Sequence, residues 1–391
     1  MNTENIKKKI IIGNSLVYYS IYFLYKKDKL TKFRQKAFLN AYRNKNFIIR
    51  TTIYFYSFFI WPFNLLRQIY TFTKVRGKYV KQVYKKSYLI QVLEQLQLGL
   101  LHTVPVRSYY NYQFYIKENK KRHYEYLYNH EVSYLFDYLS KYADKTLLGD
   151  KYKFYLFCKE NKIPTVPILE LITRNTKTLN LPEQDLFIKP RLGSAGKGIS
   201  KWKYNSSYYV NNVGGKINKN ELENSLLKQA QKQDYIIQPV IKIDKSLSNF
   251  TKKALPTIRL ISKHSKNGVE IIVAYQKVVL NKSIIDNSAF GFPIDVETGK
   301  MYTPNTTLHN KLKKESKINN ENYLVISENW RNIKDMVNKT HQLLSQYNFL
   351  AFDIVINQNI PKIIEINHNW DVCILQQACD ERLLALKMLY F

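Results

Sequence analysis

The stretch from Phe349 to Asp371, FLAFDIVINQNIPKIIEINHNWD, constrains this chain more than any other. Two apolar arms flank Asn357, Gln358, Asn359 and Pro361, which predicts two short strands joined by a tight polar turn. Three oxygen-bearing side chains interrupt the apolar background: Asp353, Glu365 and Asn367. Glu365 and Asn367 are two apart, so on a strand they share a face. A hairpin centred on Asn359 sets Asp353 directly across from Glu365, on that same face. A hairpin centred between Gln358 and Asn359 pairs Asp353 with Ile364 instead and turns Glu365 away. In the first register, two carboxylates and an amide suit a hard cation such as magnesium, held together with nucleotide phosphates. The plain alternative is the solvated polar face of an ordinary hairpin.

The rest of the chain decides between them. At 391 residues it can bury a large core and form two or more lobes. Its 61 Lys and Arg against 30 Asp and Glu leave a net charge of +31. That surplus favours an anionic partner: nucleic acid, an anionic membrane surface, or a phosphate- or carboxylate-bearing substrate. No nucleic-acid-reading motif accompanies it. The excess is greatest at the start, where only Glu4 and Asp28 precede Glu94. Two uncharged aromatic runs there, residues 10–25 and 51–66, are too short to span a bilayer but suit its interface, with Lys and Arg on either side. Packing on the main body is the competing reading. Cys158, Cys373 and Cys379 show no metal or redox spacing and read as buried thiols in a reducing compartment.

Helical spacing runs from about Leu65 to Tyr142, broken at Pro105. Asp150 is an N-cap for a helix opening at Lys151, with Phe154, Phe157 and Cys158 as its buried stripe. A strand, Leu186 to Lys189, leads into the glycine-rich Pro190 to Gly198, and a second strand follows through Tyr204. This is neither a Walker A loop nor G-x-G-x-x-G. It predicts a flexible hairpin whose backbone N–H groups and Lys189 and Lys197 can approach phosphate oxygens. Asn220 and Glu223 predict a capping box for the next helix. Strands are predicted at Tyr235 to Val240, Thr257 to Ser262, Val269 to Leu280 and Phe292 to Val296. Tyr302 to Asn322 reads as a polar loop. Ser327 then caps an amphipathic helix bearing Trp330, Ile333, Val337, Thr340 and His341, the last a packed residue. A final helix is predicted over residues 376–390.

That order of elements, with Asp286-Asn287, the Glu297-Thr298-Gly299 turn and Asn367-x-x-Trp370-Asp371, resembles the ATP-grasp superfamily. Within it the chain is most similar to the sugar-transfer-associated ATP-grasp proteins of polysaccharide biosynthesis, over roughly residues 76–384. The resemblance implies an α+β class: an ATP-grasp fold of two α+β lobes clamping ATP, preceded by a helical, basic and aromatic N-terminal region. It implies the boundaries 1–74 for the basic region, 75–145 for a helical lead-in, 146–240 for the N-terminal lobe and 241–391 for the C-terminal lobe. By the same resemblance, Lys151, Lys189 and Lys197 are phosphate ligands, with Gly193, Ser194, Gly196 and Gly198 in the loop over the phosphates. Gln238, Pro239 and Val240 form the adenine-binding hinge. Arg259 and Asn287 stand near the γ-phosphate, with Lys197 assisting. Asp353, Glu365 and Asn367 hold magnesium. Lys277 departs from the arginine more usual near its place. His309-Asn310 is a reduced form of the family's pattern, which puts acceptor recognition in doubt. Asp371 reads as a structural cap.

The implied activity is an ATP-dependent carboxylate–amine ligase working through an acyl-phosphate on a cell-surface (capsular) polysaccharide or its precursor. Its partners would be ATP, magnesium, sugar-linked carboxylate and amine substrates and an anionic membrane surface, with no specific nucleic acid. The implied place is the cytoplasm, peripheral on the inner face of the cell membrane. Competing classes are a basic nucleic-acid-binding protein, a membrane-associated scaffold with a degenerate nucleotide fold, and phosphoryl transfer to a hydroxyl.

Overall fold

The computed structural model describes residues 29–43, 46–140, 143–144, 146–193, 196–242, 254–278, 290–302 and 320–379. The chain divides into two compact units, Met1–Lys141 with Asn369–Phe391, and Tyr142–His368.

The first unit is helical where it is described. A 38-residue helix, Phe47–Tyr84, carries the second aromatic run and continues through Pro62. Ser87 caps the next helix, Tyr88–His102, by accepting from the Ile90 N–H. The two pack antiparallel: Trp61 donates to the Gly99 carbonyl at 2.9 Å, and Gln91 donates to the Gly77 carbonyl at 3.1 Å. Leu65 lies so close to Gly99 that an added Cβ would meet it at 2.4 Å. Tyrosine is used as core material here. Tyr109, Tyr112, Tyr126 and Tyr128 are buried with Phe114, Leu65 and Leu98. The returning helix Cys373–Cys379 joins this unit: Gln376 bonds the Leu127 N–H and carbonyl, and Asn111 bonds Cys373. Asp371 caps that helix by accepting from the Cys373 N–H. The predicted final helix is described only as far as Cys379, and the first aromatic run lies outside the described residues. No helix among the described residues is long and apolar enough to cross a membrane.

The second unit is built on two antiparallel sheets. The first comprises β1 (Glu170–Ile172), β2 (Leu186–Pro190), β3 (Ser200–Asn205), β4 (Tyr208–Asn211), β5 (Lys216–Asn218) and β6 (Tyr235–Pro239), in the order β1-β6-β2-β3-β4-β5. The helix Lys219–Ala230 covers one face with Leu222, Leu226 and Ala230 against Ile172, Leu186 and Ile237. Its capping box is Asn218 with Glu221, two residues before the expected Asn220 and Glu223. Glu223 instead accepts from the Leu181 N–H at 2.8 Å. β4 and β5 were not predicted; both are short and carry mixed polar residues without a full alternation.

The second sheet comprises β7 (Ile258–Ser265), β8 (Gly268–Val278), β9 (Phe290–Ile294), β10 (Phe349–Asn357) and β11 (Ile360–Asn367), in the order β11-β10-β7-β8-β9. Leu350, Phe352, Ile354 and Ile356 of β10 point to one face, against Trp330, Ile333 and Val337. Those three lie on a helix that begins at Asn320, a full two turns before the expected Ser327 cap. It therefore takes up the end of the expected polar loop, whose residues 303–319 lie outside the described ones. His341 is fully buried, as its helical position predicts, bonded to Ser262 Oγ at 2.6 Å and the Tyr347 carbonyl at 2.8 Å. The other face of β10 bears Ala351, Asp353 and Val355, which are also buried.

Candidate active site

The hairpin β10–β11 reaches the expected carboxylate pairing by the unexpected route. Its turn is centred between Gln358 and Asn359, since Asn357 pairs with Ile360. Both turn residues have positive φ, 51° and 61°, as a two-residue hairpin turn of the primed type requires. Continued regularly, that register pairs Asp353 with Ile364. A β-bulge intervenes: Ile354 pairs with Ile363, and Asp353 with Glu365, leaving Ile364 extra. The bulge re-aims Glu365 onto the face of Asp353. Asn367, opposite Ala351, stands two residues further on the same face.

Arg259 of β7 lies directly across from Asp353 on its other side. A row of charged side chains therefore crosses three strands, Arg259–Asp353–Glu365. Arg259 grips Asp353 through two bonds, Nε to Oδ1 at 2.6 Å and the terminal nitrogen to Oδ2 at 2.7 Å. Lys277 of β8 adds its Nζ at 2.9 Å from Oδ1. Burial alone would raise the Asp353 pKa, but the two cations and their hydrogen bonds overcome it and hold the carboxyl at about 2. Lys277, where the resemblance leads one to expect arginine, is brought here by the pairing of β7 with β8.

The first sheet contributes Lys189, on β2, which is buried. Desolvation lowers its pKa to about 8; the charge of Glu365 opposes that fall, and Lys151 adds to it. Among the described residues Lys189 has no hydrogen-bond partner. Gln238, on the neighbouring β6, donates to the Val166 carbonyl at 3.2 Å. Residues 163–169 stitch the two sheets together. The Ile363 N–H of β11 donates to the Pro164 carbonyl at 2.9 Å, Thr165 donates to the Ile363 carbonyl at 2.7 Å, and the Leu169 N–H donates to the Ile237 carbonyl of β6. The Val240 N–H, just past β6, donates to the Asp185 carbonyl at 3.2 Å.

The glycine loop joins β2 to β3 as a hairpin. Gly193, Gly196 and Gly198 all have positive φ. At Gly198 (φ 73°) a Cβ would also meet Pro190 Cγ at 2.9 Å, so only glycine fits. Lys197 is exposed, and Ser194 and Asn287 lie outside the described residues. A clasp that the sequence reading missed ties down the root of the loop. Arg191 bonds both oxygens of Asp150 and reaches Asp234 at 3.1 Å. Asp150 meanwhile caps the helix Lys151–Glu160 by accepting from Tyr152 and Lys153 N–H. Lys151 itself donates to the Gly193 carbonyl at 2.7 Å. The only hint in the sequence was Arg191 beside the glycines, with no way to name its partners.

The donor set Asp353, Glu365 and Asn367 is all oxygen and stands on one face, which fits a hard divalent cation. It has two carboxylates rather than three; among the described residues no cluster of three His, Cys, Asp or Glu side chains could hold a metal.

Residues 114–388 match the sugar-transfer associated ATP-grasp family. The chain belongs to that family. This ATP-grasp protein is also similar to solved ligases. L-amino acid ligase from Bacillus licheniformis is 13% identical, over 57% of this chain and 41% of that one, with a TM-score of 0.32. D-alanine–D-alanine ligase from Helicobacter pylori is 16% identical, over 62% and 60%, with a TM-score of 0.36. The corresponding ligase from Bacillus anthracis, solved with ATP, is 14% identical, over 64% and 66%, with a TM-score of 0.36. The ATP-grasp chain thus spans between 41% and 66% of the length of these structures. No curated protein matches it.

Proposed function

We propose that this ATP-grasp protein is an ATP-dependent ligase that joins a carboxylate to an amine through an acyl-phosphate. The observation that carries the reading is the row Arg259–Asp353–Glu365 on one sheet, with a buried lysine, Lys189, on the other. Carboxylate attack on a γ-phosphate requires charge neutralisation and positioning rather than a protein nucleophile. On this reading residues 146–240 and 241–391 supply the two lobes, with the helix Cys373–Cys379 of the latter packing back on the helical first unit. Lys151, Lys189 and Lys197 bind phosphate oxygens, and the loop from Gly193 to Gly198 covers them. Gln238, Pro239 and Val240 border the base. Asp353, Glu365 and Asn367 would hold magnesium, which supplies Lewis-acid neutralisation of the phosphates when bound. Arg259 and Lys277 hold Asp353 ionised, and Arg259 together with Asn287 stabilises charge on the transferring group. The acceptor is a sugar-linked acid or amine of a cell-surface polysaccharide or its precursor, met at the inner face of the membrane. The basic N-terminal region holds the protein there.

The test is oxygen transfer. Acceptor carboxylate labelled with heavy oxygen, drawn from a panel of sugar acids and amino acids, should pass one label to the released phosphate. Unlabelled phosphate in a competent reaction would exclude the acyl-phosphate, and would point to phosphoryl transfer to a hydroxyl if a phosphorylated sugar accumulates. AMP as the product would exclude the whole scheme.

A further inference from the structure

From Phe59 onward, the described side chains of the helix Phe47–Tyr84 are buried along one side. Leu65, Ile69, Thr73 and Val80 are buried, and Gln95 and Tyr110 bond Thr73. The other side is exposed and apolar in part: Phe63 is 74% exposed, Leu66 53% and Tyr70 71%. Exposed basic residues stand among them. Phe63, Arg67, Tyr70, Lys74 and Lys81 recur at intervals of 4, 7, 11 and 18 residues, which is one stripe of a 3.6-residue helix. Lys74 lies over the Tyr70 ring at 5.9 Å. The helix carries no acidic residue, and none occurs between Asp28 and Glu94. Glu94 itself is neutralised by Lys86 and Lys120. The packed helix Tyr88–His102 leaves Leu89, Leu93 and Leu100 exposed on the arc away from its buried Gln91 and Gln95.

Large exposed side chains at helical spacing, interleaved with cations, require a covering partner or an interface. We infer that the Phe63–Lys81 stripe lies along an anionic lipid surface, with Phe63, Leu66 and Tyr70 entering the headgroup boundary and Arg67, Lys74 and Lys81 meeting lipid phosphates. This deepens the membrane part of the reading above and rests on it. Charge selects the occupant. A second copy of the stripe would oppose cation to cation, and no carboxylate of the same helix could relieve it. A lipid surface supplies both a diffuse negative field and an apolar layer for partly amphipathic aromatics. The helix is not apolar enough to leave that plane and cross. Phe63 and Leu66 fall within the second uncharged run, residues 51–66, and the stripe extends 15 residues beyond it to Lys81; residues 10–25 lie outside the described ones.

The full chain should be tested by co-sedimentation with vesicles of phosphatidylcholine alone and with anionic phosphatidylglycerol added, at low and high salt. Wild type should bind the anionic vesicles, at least tenfold more weakly in high salt and on neutral vesicles. The triple variant Phe63→Ser, Leu66→Ser and Tyr70→Ser should lose at least tenfold. Arg67→Gln with Lys74→Gln should lose roughly fivefold for each charge removed. Both should keep the wild-type melting temperature and ADP release, since every altered side chain is exposed. A variant of the first run, Tyr18→Ser, Tyr19→Ser and Tyr22→Ser, should bind within threefold of wild type. Normal binding by the stripe variant, with loss only in the first-run variant, would overturn the stripe and leave the membrane reading standing. No binding by wild type would overturn both. Equal binding to neutral vesicles would overturn the anionic surface. Self-association in the absence of lipid, abolished in the stripe variant, would make the occupant a second copy.

Discussion

Replacing Asp353 with Asn keeps the shape of the side chain and removes its charge. Arg259 and Lys277, both buried, then face an amide that satisfies geometry but not charge. Two free-energy terms bound the effect. The folded-state pKa of about 2, against an ordinary 3.8, is a difference of 1.8, or about 2 kcal/mol of preference for the ionised form. Breaking a buried ion pair by removing one partner costs about 3–5 kcal/mol, because the remaining charge is uncompensated. Asn still accepts one bond from Arg259, so we expect about 3 kcal/mol. In a unit of this size that lowers the melting temperature by roughly 10 °C. The assay is thermal unfolding followed by circular dichroism at pH 7. The sign with pH is fixed. Because the folded pKa is depressed, the stabilisation is complete above the unfolded value near 3.8 and is lost as pH falls through about 2. The gap between wild type and Asp353→Asn should therefore close in acid. Adding Lys277→Met should partly restore the Asp353→Asn variant, although it destabilises wild type. A melting temperature within 2 °C of wild type at pH 7, or a further loss on adding Lys277→Met, would refute the charge balance described.

Glu365→Gln should abolish turnover and, independently, lower the Lys189 pKa below about 8, because Glu365 is the charge that supports it; a nitrogen-15 titration of the lysine side chains checks this. Arg191→Ala should raise KM for ATP more than it lowers kcat, since it frees the root of the glycine loop and leaves the sheet face intact; steady-state kinetics at varied ATP decide it. Gly299→Ala should cost about 2 kcal/mol or more in chemical unfolding, because φ is 71° and the new Cβ would meet Trp330 at 2.5 Å. His341, buried and held neutral, has its pKa lowered to about 4; stability of the second unit should be full above pH 6.5 and fall toward pH 4 by up to about 3 kcal/mol, with a shallower slope in His341→Gln.

The parts legible in the sequence were those with a strong apolar signal. β10 is an almost unbroken apolar run, buried on both faces from Phe349 to Ile356, and the 3.6-residue spacing of Trp330, Ile333 and Val337 marks the buried face of their helix. The cap at Asp150 was legible because its side chain acts within three residues. Caps further from a strong hydrophobic signal slipped: Asn218 and Asn220 are both good caps, and only the packing of Leu222 and Leu226 decides between them. The start of the Asn320–Leu343 helix was missed because Tyr323 to Ile326 is a short unbroken apolar run with no 3.6-residue period, and Ser327 after it is a good cap residue. At the site, the residues came from spacing and resemblance, but their contacts did not. Lys277 and Arg259 are 18 residues apart; β10–β7 pairing sets Arg259 opposite Asp353, and β7–β8 pairing brings Lys277 to it. The bulge at Ile364 has no sequence mark; with the turn centred between Gln358 and Asn359, it is what sets Asp353 opposite Glu365.

The return of residues 369–379 to the first unit has a consequence for synthesis. Gln376 and Cys373 close a core whose other walls, Tyr112, Asn111 and Leu127, are made more than 240 residues earlier. On a ribosome adding roughly 5–20 residues per second, those walls wait on the order of 10–50 s before their last side is supplied. During that interval the Tyr142–His368 unit emerges complete and can fold on its own contacts. The nascent chain therefore carries a complete second unit while the aromatic core of the first is still open. A surface that can shelter exposed aromatics during that wait, whether a chaperone or a lipid layer, would serve the protein before it has performed any reaction.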